Sequence, residues 1–478
     1  MFLAQSVTED YRNSAYMLDS EKQAFYSVLE ALGGDLNASN LYPDPCGLTP
    51  VPGTSCDQFG DFWYITVLNL GDVYDNSPKC SNNAVLHPSI FNLTHLKTLS
   101  LYKCFVNAPQ IMPLTQWGNL GGSLQSLIFR NNVALVGELP PEMGKLASLE
   151  FLVVTENNMK GNLPKEIGNL TKLRKLVLSH NQFYGTIPPS LEFLHELLIL
   201  DLSFNQLQGM IPPNLGNLNS LVKMDLSDNG LQSGIPGRFG ELKSLTFLDL
   251  RNNQLHGNLP VSLIEMANLQ ELYLSNNPMG GTIDFLHWSN LQLLINLDLS
   301  ASRYVGKIPE SLGKMKMLRY LALNDNALSG KVPKELADLP NLCSLLLNNN
   351  NLSGALEFSS KFYQRMGRYL ALWGNSRLCY VVQGQNFAPN GVSLCPGMVV
   401  APGKSHEASL NSVAGSGVRS CSSVIQCLLY HISAWYSRIW QNLNPVNQIL
   451  MAAAKLVAGS SHPSKHEKSI DPERYSIK

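Results

Sequence analysis

Three carboxylates, Asp201, Asp225 and Asp249, recur at intervals of 24 residues, and paired carboxylates are one source of general acid–base chemistry. Such a pair needs two different environments that push its pKa values apart. A strict period does the opposite, because each aspartate inherits the same surroundings, so the three read as a ladder of scaffold residues. His180 is a lone imidazole in the same region, readable as a pH sensor or as an ordinary solvated histidine. The chain contains no HExxH, GxSxG, P-loop or protein-kinase signature, and its nine cysteines form no CxxC. The sequence therefore calls for no catalytic residue, no metal and no cofactor.

The cysteines point to different chemistry. Six of them group at short range: Cys46 with Cys56, Cys80 with Cys104, and Cys379 with Cys395. Such spacing suits disulfides in an oxidising compartment. Cys343 stands alone and reads as a buried, small apolar side chain, while Cys421 and Cys427 are left without an assigned pairing. Glycosylation sequons at Asn37, Asn92, Asn169 and Asn351 agree with secretion. The first six residues, Met1 to Ser6, read as the end of a signal peptide whose start lies upstream.

What positions these groups is a repeat. The pattern L-x-x-L-x-L-x-x-N begins at Leu96, Leu124, Leu149, Leu173, Leu197, Leu221, Leu245, Leu269, Leu294, Leu318 and Leu342. An earlier copy holds Ile65, Leu68 and Leu70, and a degenerate later one holds Leu370, Leu372 and Asn375. A period of mostly 24 residues held over so many copies defines a leucine-rich repeat solenoid, an α/β superhelix with a parallel concave β-sheet and disulfide-capped ends. Alternating leucines of each short strand point inward and the residues between them point out. The asparagine closing each strand, from Asn157, Asn181, Asn205, Asn229, Asn253 and Asn277 to Asn326 and Asn350, turns inward to satisfy backbone groups of the bend. Cys104 and Ser302 replace it in two copies, where this ladder should be weakest. A G-x-[L/I/V]-P segment follows, as in Gly185-Thr-Ile-Pro188. Its glycine permits an unusual bend, and its proline ends the strand before a short helical turn. Ser233 replaces one such glycine and Asp284 one such proline.

This extended repeat resembles the plant class of leucine-rich repeats found in receptor-like kinases and receptor-like proteins. The irregular ends carry the resemblance further: Leu41-Tyr-Pro-Asp-Pro-Cys46, Tyr102-Lys-Cys104 with Ala108-Pro109, Phe362 to Arg368, Trp373-Gly-Asn375 and Leu378-Cys379-Tyr380. These stretches are similar, over roughly residues 17 to 395, to plant receptor-like proteins associated with the response of roots to a growth-promoting fungus and with stomatal patterning. The resemblance implies a secreted or plasma-membrane-associated protein on the extracellular face that carries no kinase. Its expected partner is a receptor-like kinase ectodomain or a peptide or protein ligand. The competing expectation is a soluble inhibitor of microbial cell-wall hydrolases, similar to the polygalacturonase-inhibiting proteins.

Composition agrees with this. The 478 residues carry 35 basic and 36 acidic side chains, and 15% are charged against a typical level of roughly 25%. Such a chain has no general attraction to nucleic acid or to anionic membrane. The expected organisation is a possible signal-peptide remnant at 1–6, an N-terminal cap at 7–64, the solenoid at 65–378, a C-terminal cap at 379–395, a Ser/Gly-rich linker at 396–423 and an unassigned tail at 424–478. Phe25, Val28, Leu29 and Leu32 lie on one face of a helix in the cap that Asp19 or Ser20 should N-cap. In the tail, apolar stretches at 424–440 and 449–458 are too short and too interrupted to span a membrane. They read instead as amphipathic helices.

Outward-facing residues that depart from the Asp-Leu-Ser consensus mark the candidate ligand site. They are Phe151, Glu156, Lys175, His180, Phe204, Lys223, Phe247, Arg251 and Tyr273, and aromatic and arginine side chains mid-face fit a binding hot spot.

Overall fold

A computed structural model of the chain describes residues 16–34, 37–71, 79–381 and 389–396. The expected signal remnant, the tail stretches at 424–440 and 449–458, and Cys421 and Cys427 lie outside the described residues, as does the linker beyond Pro396.

The core is a fifteen-stranded sheet whose successive strands are parallel from Phe62–Gly71 to Leu370–Ala371. Register is kept from repeat to repeat: Phe151 pairs with Lys175, then Ile199, Lys223, Phe247, Glu271, Asn296, Tyr320 and Ser344. The inward leucines are fully buried, for example Leu173, Leu176 and Leu178 in one copy. Each such side chain stabilises the stack by about 1.5–3 kcal/mol. Opposite the sheet, short 3-10 helices such as Pro189–Phe193 and Pro213–Asn217 follow the repeat prolines. The second glycine of each repeat allows them to stack closely, since a Cβ on Gly216 would strike the carbonyl oxygen of Arg238 in the next copy. Gly185, at the bend after the strand, has φ +77°, which explains the glycine there.

The segments after most turn asparagines form sheets of their own, which the repeat pattern did not announce. One has seven strands, from Gln110–Ile111 to Gln254–Leu255, and the other has five, from Val305–Lys307 to Ser393–Leu394. Between them no lateral strand forms among the described residues, and the link is the isolated bridge Thr282 to Val305 with a few single backbone hydrogen bonds such as Gly280 N–H to the Ser302 carbonyl. The cause is legible: Pro278 follows Asn277 directly and offers no N–H where neighbouring copies begin the lateral strand. This seam coincides with Ser302, one of the two rungs that lack asparagine.

At the N-terminal end the helix Asp19–Gly33 buries Phe25, Val28, Leu29 and Leu32 over the open end of the core. Its N-cap is Leu18, with no side-chain hydrogen bond, and not Asp19 or Ser20 as expected. The helix starts one residue earlier, and Asp19 and Glu21 instead place negative charge in its first turn, favourable toward the helix dipole. The hairpin Thr54–Phe59 with Phe62–Gly71 carries the Cys46–Cys56 disulfide, and its second arm is itself the first parallel strand. Disulfide Cys80–Cys104 ties the next copies together, and Cys379–Cys395 closes the far end. These bonds fit an extracellular protein. Cys343, expected to be a buried, small apolar side chain, is only partly buried and is disulfide-bonded. Its position in the strand-leading segment turns its side chain away from the leucine core. Among the described residues no helix is long and apolar enough to cross a membrane.

Glu21 was not singled out from sequence. It is 5% exposed, and its Oε1 accepts a hydrogen bond from the Ile65 backbone N–H at 3.2 Å, joining the cap helix to the first strand. Burial raises its pKa to about 7, against which that hydrogen bond acts. The folded cap therefore binds a proton that the unfolded chain releases above pH 4.5. Its contribution to stability is fully present below pH 4.5 and is lost as pH rises through about 7. Glu21→Gln keeps the acceptor and removes the titration. It is expected to leave stability unchanged at pH 4 and to raise it by about 3 kcal/mol at pH 8. Urea denaturation followed by tryptophan fluorescence checks this; equal gains at both pH values would refute it.

Candidate functional site

The outward face of the sheet has four side-chain columns, and the polar residues of the consensus are committed within it. Asp201 Oδ1 accepts from the Ser203 hydroxyl at 2.7 Å and the Ser203 N–H at 3.2 Å. Asp225 with Ser227 and Asp298 with Ser300 repeat this arrangement, and Asp249 Oδ1 accepts from the Arg251 N–H. These aspartates shape the strand-to-turn transition, as their period suggested. They are also charged groups in a crowded row. Burial raises the pKa of Asp225, and repulsion from Asp201 adds to it. Burial raises Asp249 to about 7, helped by Asp225 and opposed by Arg251.

The candidate residues divide into two groups over this frame. In the strand columns, Lys223 Nζ lies 3.5 Å from Asp201 Oδ2, 3.3 Å from Asp225 Oδ2 and 4.9 Å from the centre of the Phe247 ring. Phe247 packs against Tyr273 at 5.8 Å. The Arg251 guanidinium sits 5.0 Å over the Tyr273 ring and pairs with Asp249 Oδ2 at 2.6 Å. The Tyr273 hydroxyl donates to Glu271 Oε2 at 2.6 Å and accepts from Asn296 Nδ2 at 3.1 Å. Burial lowers the pKa of Lys175, two strands before Lys223. Lys223 and Tyr273 are only 8% and 5% exposed, so they are covered by neighbours rather than presented. Strands about 4.8 Å apart force long side chains in one column to lie against each other. These two residues therefore support the face from within. Phe151, Lys175 and Phe247 remain half-buried at its opening.

The second group lies at the turn. Glu156 Oε2 accepts from Asn131 Nδ2 at 2.9 Å, and Glu156 Oε1 lies 3.5 Å from Arg130. His180 and Phe204, 24 residues apart, stack with ring centres 4.3 Å apart and planes 11° from parallel. Both have positive φ, 55° and 52°, and Phe204 is 47% exposed. Arg130, Asn131 and Asn296 complete these contacts and were not among the candidates. Register arithmetic places each beside one, but single-residue consensus comparison does not reveal pairs. The sequon asparagines Asn37, Asn92, Asn169 and Asn351 are exposed and lie outside the outward columns of the sheet, in the cap, in 3-10 helices and at the start of a lateral strand.

Residues 219–279 match a family model described as Leucine rich repeat, and residues 172–194, 196–218 and 268–291 match single copies of a Leucine Rich Repeat. Over 138 residues the chain is 46% identical to Piriformospora indica-insensitive protein 2 of Arabidopsis thaliana, covering 29% of this chain and 32% of that protein. The chain spans between about a quarter and a third of the length of the curated relatives it matches. Among solved structures, the plant peptide hormone receptor RGFR1 in complex with RGF2 superposes with a TM-score of 0.55 at 30% identity, over 67% of this chain and 53% of that one. A leucine-rich repeat protein of Leptospira interrogans superposes with a TM-score of 0.50 at 31% identity, over 62% of this chain and 71% of that one. Periodic strands, inward asparagines and these likenesses agree: the chain belongs to the leucine-rich repeat proteins and resembles the plant receptor-like proteins among them.

Proposed function

We propose that the chain is a non-catalytic, extracellular recognition protein of the receptor-like type. It holds a peptide or protein ligand on the outward face of its parallel sheet. It acts through a receptor-kinase ectodomain, in the response of plant roots to microbes or in development. The observation that carries this reading is the grouping of non-consensus residues on neighbouring strands and their turns. Phe151, Lys175, His180, Phe204 and Phe247 depart from the scaffold pattern, while the aspartates and serines around them are tied into the turns. A peptide complex of a similar ectodomain supports the choice of ligand class.

The test is a pull-down from root membranes with the secreted protein, read by mass spectrometry. Receptor kinases should be enriched, and Phe151→Ala combined with Phe204→Asn should reduce them at least fivefold. Arg251 is a poor probe, because its removal strands the buried Asp249. Kinases captured equally by the double variant would remove the sheet face as the docking surface. Capture of microbial hydrolases alone would replace the receptor-like reading with that of an inhibitor.

A further inference from the structure

The residue before each turn asparagine forms a ledge along one edge of the outward face, and the backbone there is left-handed. Asparagine and aspartate tolerate this conformation best, and they share hydrogen bonds along the ledge. Asn252 Nδ2 donates to Asp228 Oδ1 at 2.8 Å, Asn276 Nδ2 to Asn252 Oδ1 at 2.8 Å, and Asn349 Nδ2 to Asp325 Oδ1 at 2.7 Å. His180 and Phe204 break the chain with a ring stack. A bulky side chain at φ near 50° is strained, and such strain is retained where something other than the fold requires the residue. The fold gains little from Phe204, whose ring is almost half exposed.

The surroundings specify what the stack would meet. Glu156 precedes it on the ledge and Asp228 follows it. Across the four outward columns of the eight strands between Phe151 and Asp325, eight carboxylates face three cations. The Arg130 contact to Glu156, at 3.5 Å on an exposed side chain, is weak enough to exchange for another cation.

We propose that this ledge docks an extended basic peptide segment, with an aromatic side chain on the His180–Phe204 stack and basic side chains at Glu156 and Asp228. The inference rests on the sheet face being the ligand surface and names the class of ligand. Glu156 and Asp228 are three strand steps apart, roughly 14 Å, which an extended chain at about 3.4 Å per residue spans in four residues. The ligand therefore carries basic residues at i and i+4 with an aromatic residue at i+2. Acidic and purely apolar peptides are disfavoured by the excess of carboxylates.

The experiment pans a phage-displayed library of random dodecapeptides on the immobilised full-length secreted protein. The enriched sequences should share the basic-x-aromatic-x-basic spacing and should elute with salt. Phe204→Asn should weaken a synthetic consensus peptide at least tenfold while raising the urea midpoint of the protein, because asparagine relieves the left-handed strain. Enrichment of acidic or apolar sequences, or no enrichment, overturns the proposal. So does a Phe204→Asn protein that binds as before or that is destabilised. If peptides are enriched whose capture depends on Phe151 or Phe247 and not on Phe204, the sheet face stands as the ligand surface and the ledge falls.

Discussion

Lys223→Ala should destabilise the protein by about 3–5 kcal/mol at pH 8 and by much less at pH 4. The lysine is buried between two carboxylates, at 3.5 Å from Asp201 and 3.3 Å from Asp225. Those three side chains are 9%, 10% and 13% exposed, so water does little to screen them. Breaking a buried ion pair by removing one partner costs far more than the pair contributes, since the remaining charge is left in a poor solvent. Here two charges are left, in a row that also holds Asp249. The pH dependence follows from direction. Asp225 and Asp249 already titrate above their ordinary values, Asp249 at about 7, through burial and mutual repulsion. Without Lys223, Asp225 loses the neighbouring charge that holds it down and moves further up. The folded variant then takes up protons that the unfolded chain does not, and its deficit shrinks as pH falls through 7 toward 4. Lys223→Met should behave like Lys223→Ala, because packing is not what is lost. The triple change Lys223→Met, Asp201→Asn, Asp225→Asn should return to within about 1.5 kcal/mol of the parent, because the amides can still accept from Ser203 and Ser227. Urea titrations at pH 4, 6 and 8 decide it. A small deficit that is flat with pH would show that the lysine is solvated and that the row is an ordinary surface.

The contrast between Asp201 and Lys223 shows what the sequence can disclose. The period alone assigns Asp201 to the scaffold, and its bond to Ser203 is the local reason. Lys223 departs from the pattern, so consensus comparison marks it for ligand binding. Only the register that sets it between the carboxylates of its own and the preceding strand reveals that it is consumed internally. The partners of Tyr273 are hidden for the same reason: its hydroxyl is taken by Glu271 and Asn296. Inward leucines, turn asparagines and the cap helix are legible because they follow from periods within one copy. The lateral sheets are not, because each strand of two to six residues exists only where its neighbour in the next copy is present. Glu21 is likewise invisible, since its partner Ile65 is 44 residues away and the contact is to backbone. His180 and Phe204 are legible as deviations; their stacking and their strained backbone are not.

Asn277→Ala should divide the solenoid into two separately melting blocks, whereas Asn205→Ala should weaken it without dividing it. The two asparagines make equivalent bonds. Asn277 Oδ1 accepts from the Leu255 N–H at 3.1 Å, and its Nδ2 donates to the carbonyls of Leu250, Leu274 and Ser275 at 2.9, 3.0 and 3.2 Å. Asn205 joins Phe183 to Leu178, Leu202 and Ser203 in the same way. Removing either leaves buried backbone groups unpaired, at a cost of about 3 kcal/mol. The difference lies in the neighbours. Asn205 is flanked by copies whose lateral strands pair on both sides, so other ties cross the damaged rung. Beyond Asn277 comes Ser302, whose single hydroxyl proton serves either Leu274 or Ser300 but not both. There Pro278 has also interrupted the lateral sheet, leaving the bridge from Thr282 to Val305. A solenoid is stabilised copy by copy through nearest-neighbour interfaces, and it melts as one unit only while every interface is strong enough to couple its two sides. Losing the last full rung before an already weak interface removes that coupling. Calorimetry of Asn277→Ala should then show two transitions, and hydrogen exchange should distinguish residues before the seam from those after it. A single transition in both variants, lowered by the same amount, would mean that the buried leucines alone carry the coupling and that the asparagine ladder adds only local stability.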